Sequence, residues 1–215
     1  MRKAFYTVPV LIVLLFSGCG GLDYDTLGNH MRAGNCPAAI EYVSKNEGVY
    51  KNAKLLYLLD SAKVNMLCGN YEKSNEYFHS AEGLAEDLWT KSITKEAAAF
   101  LLNDYTRPYA GEDFERALIN LFSAVNYLVL GQYDEALVEC RRLDANLSLM
   151  NEKHDKKNVY KEDAFARYLS GMAYETVNDL DSAYIEYYKA YGIFRDYGAD
   201  YGTPMPSAFL EDLIR

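Results

Sequence analysis

Four cysteines, three histidines and 31 carboxylates are the residues of this 215-residue chain that could do chemistry. Their spacing argues against most of it. His30, His79 and His154 lie far apart, and no H-E-x-x-H pair exists to hold a metal on one helix face. There is no G-x-S-x-G elbow, no phosphate-cradling loop and no dinucleotide glycine pattern. Carboxylates are so plentiful that a chance pair carries no meaning. His79 follows Phe78 in a helical stretch and reads as a packing or surface residue. The expectation is a protein that is no enzyme and uses no metal or cofactor. The cysteines say more. Cys36, Cys68 and Cys140 have no CxxC or metal-type spacing, and three thiols cannot all pair within one chain. They are expected as buried small apolar residues, with one disulfide and a spare thiol as the alternative in an oxidising compartment. Cys19 stands apart because of what precedes it.

Arg2 and Lys3 lead into the mostly apolar run Ala4–Phe16, which closes on Ser17-Gly18-Cys19. That is the layout of a secretory signal peptide, and the run is shorter than the ~20 residues needed to span a bilayer. Phe16-Ser17-Gly18-Cys19 resembles the bacterial lipobox, with Phe16 where the motif usually has Leu. The resemblance implies cleavage before Cys19 and acylation of that residue. Residues 1–18 are then a cleaved signal peptide, 19–24 the acylated cysteine and a short tether, and 25–215 the folded domain. Acyl chains contribute ~0.8 kcal/mol per buried CH₂, and two chains anchor stably. An ordinary secreted protein is the alternative. Gly20 after the cysteine, rather than Asp, implies by the same resemblance sorting to the outer membrane.

From Cys19 to Arg215 the chain has 197 residues, enough for one domain with a sizeable core. Loss of the two cations Arg2 and Lys3 takes the formal charge from -9 to -11. So acidic a body is a poor match for nucleic acid or an anionic membrane surface. Twenty tyrosines accompany a single Trp89.

Those residues must be positioned by a repeat. Gly34-Asn35-Cys36-Pro37-Ala38-Ala39, Gly69-Asn70-Tyr71-Glu72-Lys73-Ser74, Gly131-Gln132-Tyr133-Asp134-Glu135-Ala136 and Asn178-Asp179-Leu180-Asp181-Ser182-Ala183 share one pattern. The last three sit between stretches with apolar residues at helical spacing, such as Leu118, Leu121, Phe122, Val125, Leu128 and Val129 before Gly131. The motif reads as helix, tight turn, helix, with the small residue where two helices approach closely. Turn-to-turn spacings are 35, 62 and 47 residues, so two inserts interrupt the array, at about 84–111 and 147–160. The second is polar and reads as a loop. In the first, Thr94 can cap a helix through Glu96–Leu102, broken by Asn103–Gly111.

The repeated segments resemble the tetratricopeptide repeat, whose turn commonly reads Gly-x-Tyr-x-x-Ala. Tyr127 and Tyr174 four residues before the turn, and Gly171, strengthen the third and fourth copies. The resemblance implies an all-α, tetratricopeptide-like α-solenoid of antiparallel helix pairs with one inserted helix. Its first helices would line a groove, at Leu56, Leu59, Lys63, Met66 and Leu67, at Leu118, Leu121, Val125, Leu128 and Val129, and at Phe165, Tyr168, Met172, Glu175 and Thr176. A groove so apolar would be poorly hydrated if open. Glu96–Leu102 is expected to pack into or beside it near the third repeat, leaving the fourth repeat's aromatic surface for a partner.

Asn103-Asp104, Tyr109-x-Gly111-x-x-Phe114-Glu115-Arg116, Asn126-Tyr127-Leu128-x-Leu130-Gly131 and Glu139-x-Arg141-Arg142 resemble an uncharacterised family of bacterial tetratricopeptide lipoproteins. The resemblance implies a part in outer-membrane assembly or surface-structure export, without catalysis. Glu112, Arg116 and Asn120 share a helix face at i, i+4, i+8. With Glu139, Arg141 and Arg142 of the partner helix they can make a charge-paired lattice that fixes the insert against the third repeat; alternatively Arg107, Tyr109, Arg116 and Asn120 form a patch for an acidic or carboxylate-bearing partner, or the residues are simple solvated surface. The partner-binding candidates are therefore Lys63, Arg107, Tyr109, Arg116, Asn120, Tyr168, Met172 and Glu175, with Cys19 as the lipidation site. The expected function is a membrane-anchored, periplasm-facing scaffold for protein partners. The alternative is a glycan- or peptidoglycan-binding lipoprotein that stacks sugars on Tyr168, Tyr184, Tyr187, Tyr188 and Tyr191.

Overall fold

The computed structural model describes residues 21–95, 108–153 and 163–214. Among them are nine α-helices, one 3-10 turn and no strand. The helices come in pairs: α1 (Tyr24–Arg32) with α2 (Cys36–Lys45), α3 (Lys54–Leu67) with α4 (Tyr71–Lys95), α5 (Asp113–Val129) with α6 (Tyr133–Lys153), and α7 (Ala164–Thr176) with α8 (Leu180–Tyr201). The 3-10 turn Glu47–Tyr50 precedes α3, and the short α9 (Ser207–Leu213) closes the chain.

One turn is used four times. Gly34, Gly69, Gly131 and Asn178 all have positive φ, between 61° and 79°. Glycine takes that conformation without a Cβ clash, and Asn is among the few other residues that tolerate it. The N–H groups of Asn35, Asn70, Gln132 and Asp179 donate back five residues, to the carbonyls of His30, Asn65, Tyr127 and Tyr174. This closes the last turn of each first helix in a Schellman arrangement. Asn35 and Asp179 then cap the following helix, accepting from the N–H of Ala38 and of Ser182. Five residues past each turn stands a small buried residue: Ala39, Ser74, Ala136 or Ala183. Small residues also stand opposite, at Ala62, Ala124 and Gly171. A Cβ added at Gly171 would meet the Tyr187 ring at 2.4 Å.

The pairs stack in sequence order, as in a helical repeat. The first core cluster joins Leu22, Val43, Leu55 and Phe78 and receives Ile119 from α5. The second joins α5, α6 and α7 through Ala124, Leu137, Leu147 and Leu169. The third closes the far end around Phe209, which is completely buried among Tyr187, Ala190 and Phe194.

Three expectations change. Helix α4 runs through Gly83 to Lys95, so Thr94 lies inside it instead of starting a new helix. A lone helix-interior glycine costs only ~1 kcal/mol, and Ala81 and Ala85 keep the apolar face buried on both sides of it. Residues 84–95 of the first insert thus belong to the repeat's own second helix, while Glu96–Leu102 and Arg107 lie outside the described residues. Helix α6 likewise extends to Lys153, with Leu147 buried, so the polar insert begins later than 147. Finally, Cys36 and Cys68 form a disulfide, and among the described residues Cys140 is the one free thiol, buried in the core. The first residue of α2 and the C-cap of α3 lie 5.6 Å apart between Cα atoms, a separation that stacking of helix pairs creates and sequence spacing does not reveal.

Candidate functional site

The odd-numbered helices present a common half-exposed apolar face. On α3 it carries Leu56, Leu59, Lys63 and Met66, half-buried, with Leu67 exposed. On α5 it carries Phe114 and Val129, exposed, with Leu118, Phe122 and Val125 half-buried. On α7, Phe165 and Met172 are exposed. Leu121, expected in this face, is instead buried in the second core cluster, and Phe122 takes its place at the surface. The faces are neighbours. The Lys63 ammonium sits 3.7 Å over the Phe122 ring, and Leu118 and Val125 pack against the core cluster that α5 and α6 share with α7.

Lys63 sets a half-buried charge in this face between α3 and α5. Burial lowers its pKa, and among the described residues no carboxylate pairs with it. Its partner is the electron-rich ring of Phe122, an attraction of about 1–2 kcal/mol when partly desolvated. At the other end, Glu175 accepts a 2.6 Å hydrogen bond from the Tyr187 hydroxyl. It borders Met172 and is held in place by the core.

The second candidate patch is mostly internal. Asn120 is completely buried. Its amide nitrogen donates to Glu82 at 2.7 Å and to Glu139 at 2.9 Å, and its oxygen accepts from Asn146 at 2.8 Å. It cannot reach a partner, which corrects its place among the binding residues. Arg142 bridges the same two carboxylates at 3.0 and 3.2 Å. Burial raises the pKa of Glu139, whereas nearby His79 lowers that of Glu82. Asn120, Glu82, Glu139 and Arg142 join α4, α5 and α6; of the expected lattice Glu112 stands apart in the capping box of α5 and Arg116 over Trp89, and Glu82 is the member that sequence reading missed. Its i, i+3 relation to His79 was the available signal.

Arg116 sits over Trp89, its Cζ 4.3 Å from the ring centroid, and burial lowers its pKa. Tyr109 donates its hydroxyl to Glu115 and its backbone N–H to the Asn52 carbonyl, which ties the chain entering α5 to the loop before α3. Both residues stabilise the junction of the second and third pairs. Arg107 lies outside the described residues, as does Cys19.

The tyrosines divide by helix face. Tyr168 donates to Asp212 of α9 and stands edge-on to Phe209, and Tyr187 is buried. Tyr184, Tyr188 and Tyr191 are exposed along one side of α8, with the first two rings stacked at 6.2 Å. An ion cluster around the buried Arg167 also escaped sequence reading. Arg167 meets Glu186 at 3.0 Å and pairs with Asp144, locking α6, α7 and α8 together. The Cys140 thiol lies beside it, its pKa pushed up to about 11 by burial, so it is inert as a nucleophile.

No helix of the described residues is long and apolar enough to cross a membrane, and no group of three or more His, Cys, Asp or Glu side chains among them could hold a metal ion. No protein-family model matches this chain, and neither does any curated protein.

Proposed function

We propose that this protein is a lipid-anchored scaffold of tetratricopeptide-like helix pairs, facing the periplasm from the outer membrane, that holds a segment of a partner protein in an envelope assembly. The observation that carries the reading is the half-exposed face of α3, α5 and α7, with the Lys63 ammonium set in it over the Phe122 ring. An apolar stripe of this kind suits the apolar side of a helix or an extended segment. A cation that no carboxylate of the described residues pairs with, in a chain of net charge -9, favours a segment that brings a carboxylate. The lipobox-like leader favours a scaffold held at a membrane, and the Cys36–Cys68 disulfide fits an oxidising compartment outside the cytosol.

Photo-crosslinking in the native envelope from positions 129, 165 and 172 tests the reading. One protein partner should be captured at all three positions, and Lys63→Glu should reduce capture at least tenfold. Capture at none of them, with the exposed α8 face active instead, would reject it.

A second reading rests on Tyr184, Tyr188 and Tyr191, whose exposed rings could stack on sugars of peptidoglycan or another polysaccharide. Retention on immobilised polysaccharide that is lost in Tyr184→Ala/Tyr188→Ala, while Lys63→Glu is retained normally, would select it.

A further inference from the structure

Helix α8 carries a stripe of side chains that the described residues leave open. Asp181, Tyr184, Tyr188, Tyr191 and Arg195 follow one another at steps of three, four, three and four residues, which sets them in one line along the helix. All five are exposed, and Tyr184 and Tyr188 keep 63% and 64% of their surface open. Those two rings stack at 6.2 Å, so each holds the other in place before any contact is made. Exposed rings gathered into one patch mark an interaction site.

The stripe also specifies what covers it. Its two ends carry opposite charge, Asp181 in the first turn of α8 and Arg195 near its other end, each seven residues from Tyr188. Arg195 has its chain neighbour Asp196 at 3.3 Å, a solvent-exposed contact of little strength. Gly192 lies beside the stripe, four residues after Tyr188, as Tyr184 lies four before it. Among the described residues nothing stands within 4 Å of a Cβ built at Gly192. Packing inside the protein therefore gives no reason for a glycine there, although glycine weakens a helix interior. Opposite charges, and a ring matched to a gap, at equal distances from one residue make a surface that is complementary to itself across a two-fold axis.

We propose that this face of α8 docks a second copy of the same chain, the two α8 helices running antiparallel and crossing at Tyr188. Each Asp181 then faces the Arg195 of the other copy, and each Tyr184 ring enters the gap over the other copy's Gly192. The tyrosines leave water together, which supplies the affinity, while the two ion pairs set register and direction. Parallel pairing would oppose Asp181 to Asp181 and Arg195 to Arg195 and is disfavoured. The interface takes no residue from the face of α3, α5 and α7, so it stands independently of the partner reading above, and a dimer presents that face twice.

Sedimentation of the full-length protein in detergent micelles tests the proposal. The wild type should dimerise. Asp181→Arg and Arg195→Asp should each weaken the dimer about tenfold, because either reversal sets two pairs of like charges against each other. The double exchange Asp181→Arg/Arg195→Asp should restore it. Gly192→Leu should abolish the dimer without lowering the midpoint in urea, since the added side chain meets nothing in the monomer. A monomer at every concentration, or a dimer that the single reversals leave intact, overturns the proposal. So does a monomer retained on immobilised polysaccharide through rings that Tyr188→Ala removes, which gives this face to sugars instead.

Discussion

Gly171 has no side chain because Tyr187 occupies the space one would fill. Its added Cβ would lie 2.4 Å from the ring, and Tyr187 cannot swing away without breaking its bond to Glu175. Gly171→Ala should therefore destabilise the protein by about 2 kcal/mol, as overpacking in a tight core does, readable as a lower midpoint in urea. Asn120 is a second such position. Leucine has similar volume but cannot donate, so Asn120→Leu leaves Glu82 and Glu139 short of a shared hydrogen-bond donor inside the fold. A loss of about 3 kcal/mol is expected, with Asn120→Asp no better because it adds a third carboxylate. Spacing alone put Asn120 on a face with Arg116. Which direction that face points was decided by α4 and α6 arriving beside it.

At the scale of helices, the first two pairs are joined by covalent and polar links together, the Tyr24 and Tyr50 hydroxyls both donating to Asp60 of α3. The Cys36–Cys68 loop spans 32 residues in sequence, and closing a loop of that size stabilises by about 3–4 kcal/mol in the chain-entropy model. Cys68→Ser, or reduction of the wild type, should lower stability by that amount and speed amide exchange in α1 and α2 first. The α4–α5–α6 junction carries a pH signature. Glu82, 4.0 Å from Nδ1 of His79, raises the histidine's pKa above its ordinary 6.5. Stability from that contact is fully present below about pH 6.5 and is lost as pH rises through the folded-state value. His79→Gln should remove that decline, so that urea midpoints of variant and wild type diverge at pH 6 and converge toward pH 8. Equal differences at both values would refute it.

Across the whole molecule, stability is passed between neighbouring pairs and not pooled in one central core. Phe209 closes the last pair, and Phe209→Ala should cost about 4 kcal/mol. The loss should appear as faster exchange in α7 and α8, with α1–α3 unaffected under native conditions. A uniform change along the chain would mean one global cooperative unit. The same architecture gives the odd-numbered helices their shared face. Leu59, Phe122 and Met172 are far apart in sequence, and only repeated pairing at a constant turn puts them on adjacent elements.

Much of this was legible from residues alone, for a local reason. A left-handed turn needs Gly or Asn, a close helix crossing needs a small residue, and a helix needs apolar residues three and four apart, so the four pairs can be found one at a time. What required the tertiary structure was everything fixed by packing between pairs. The Cys36–Cys68 link, the passage of α4 straight through Gly83, the burial of Asn120 and Leu121, the Tyr24–Asp60–Tyr50 clamp and the exposure of Lys63 each depend on residues at least ten positions apart meeting, or failing to meet. Periodicity says that a helix has an apolar side; only the neighbours that arrive decide how much of that side stays open to a partner.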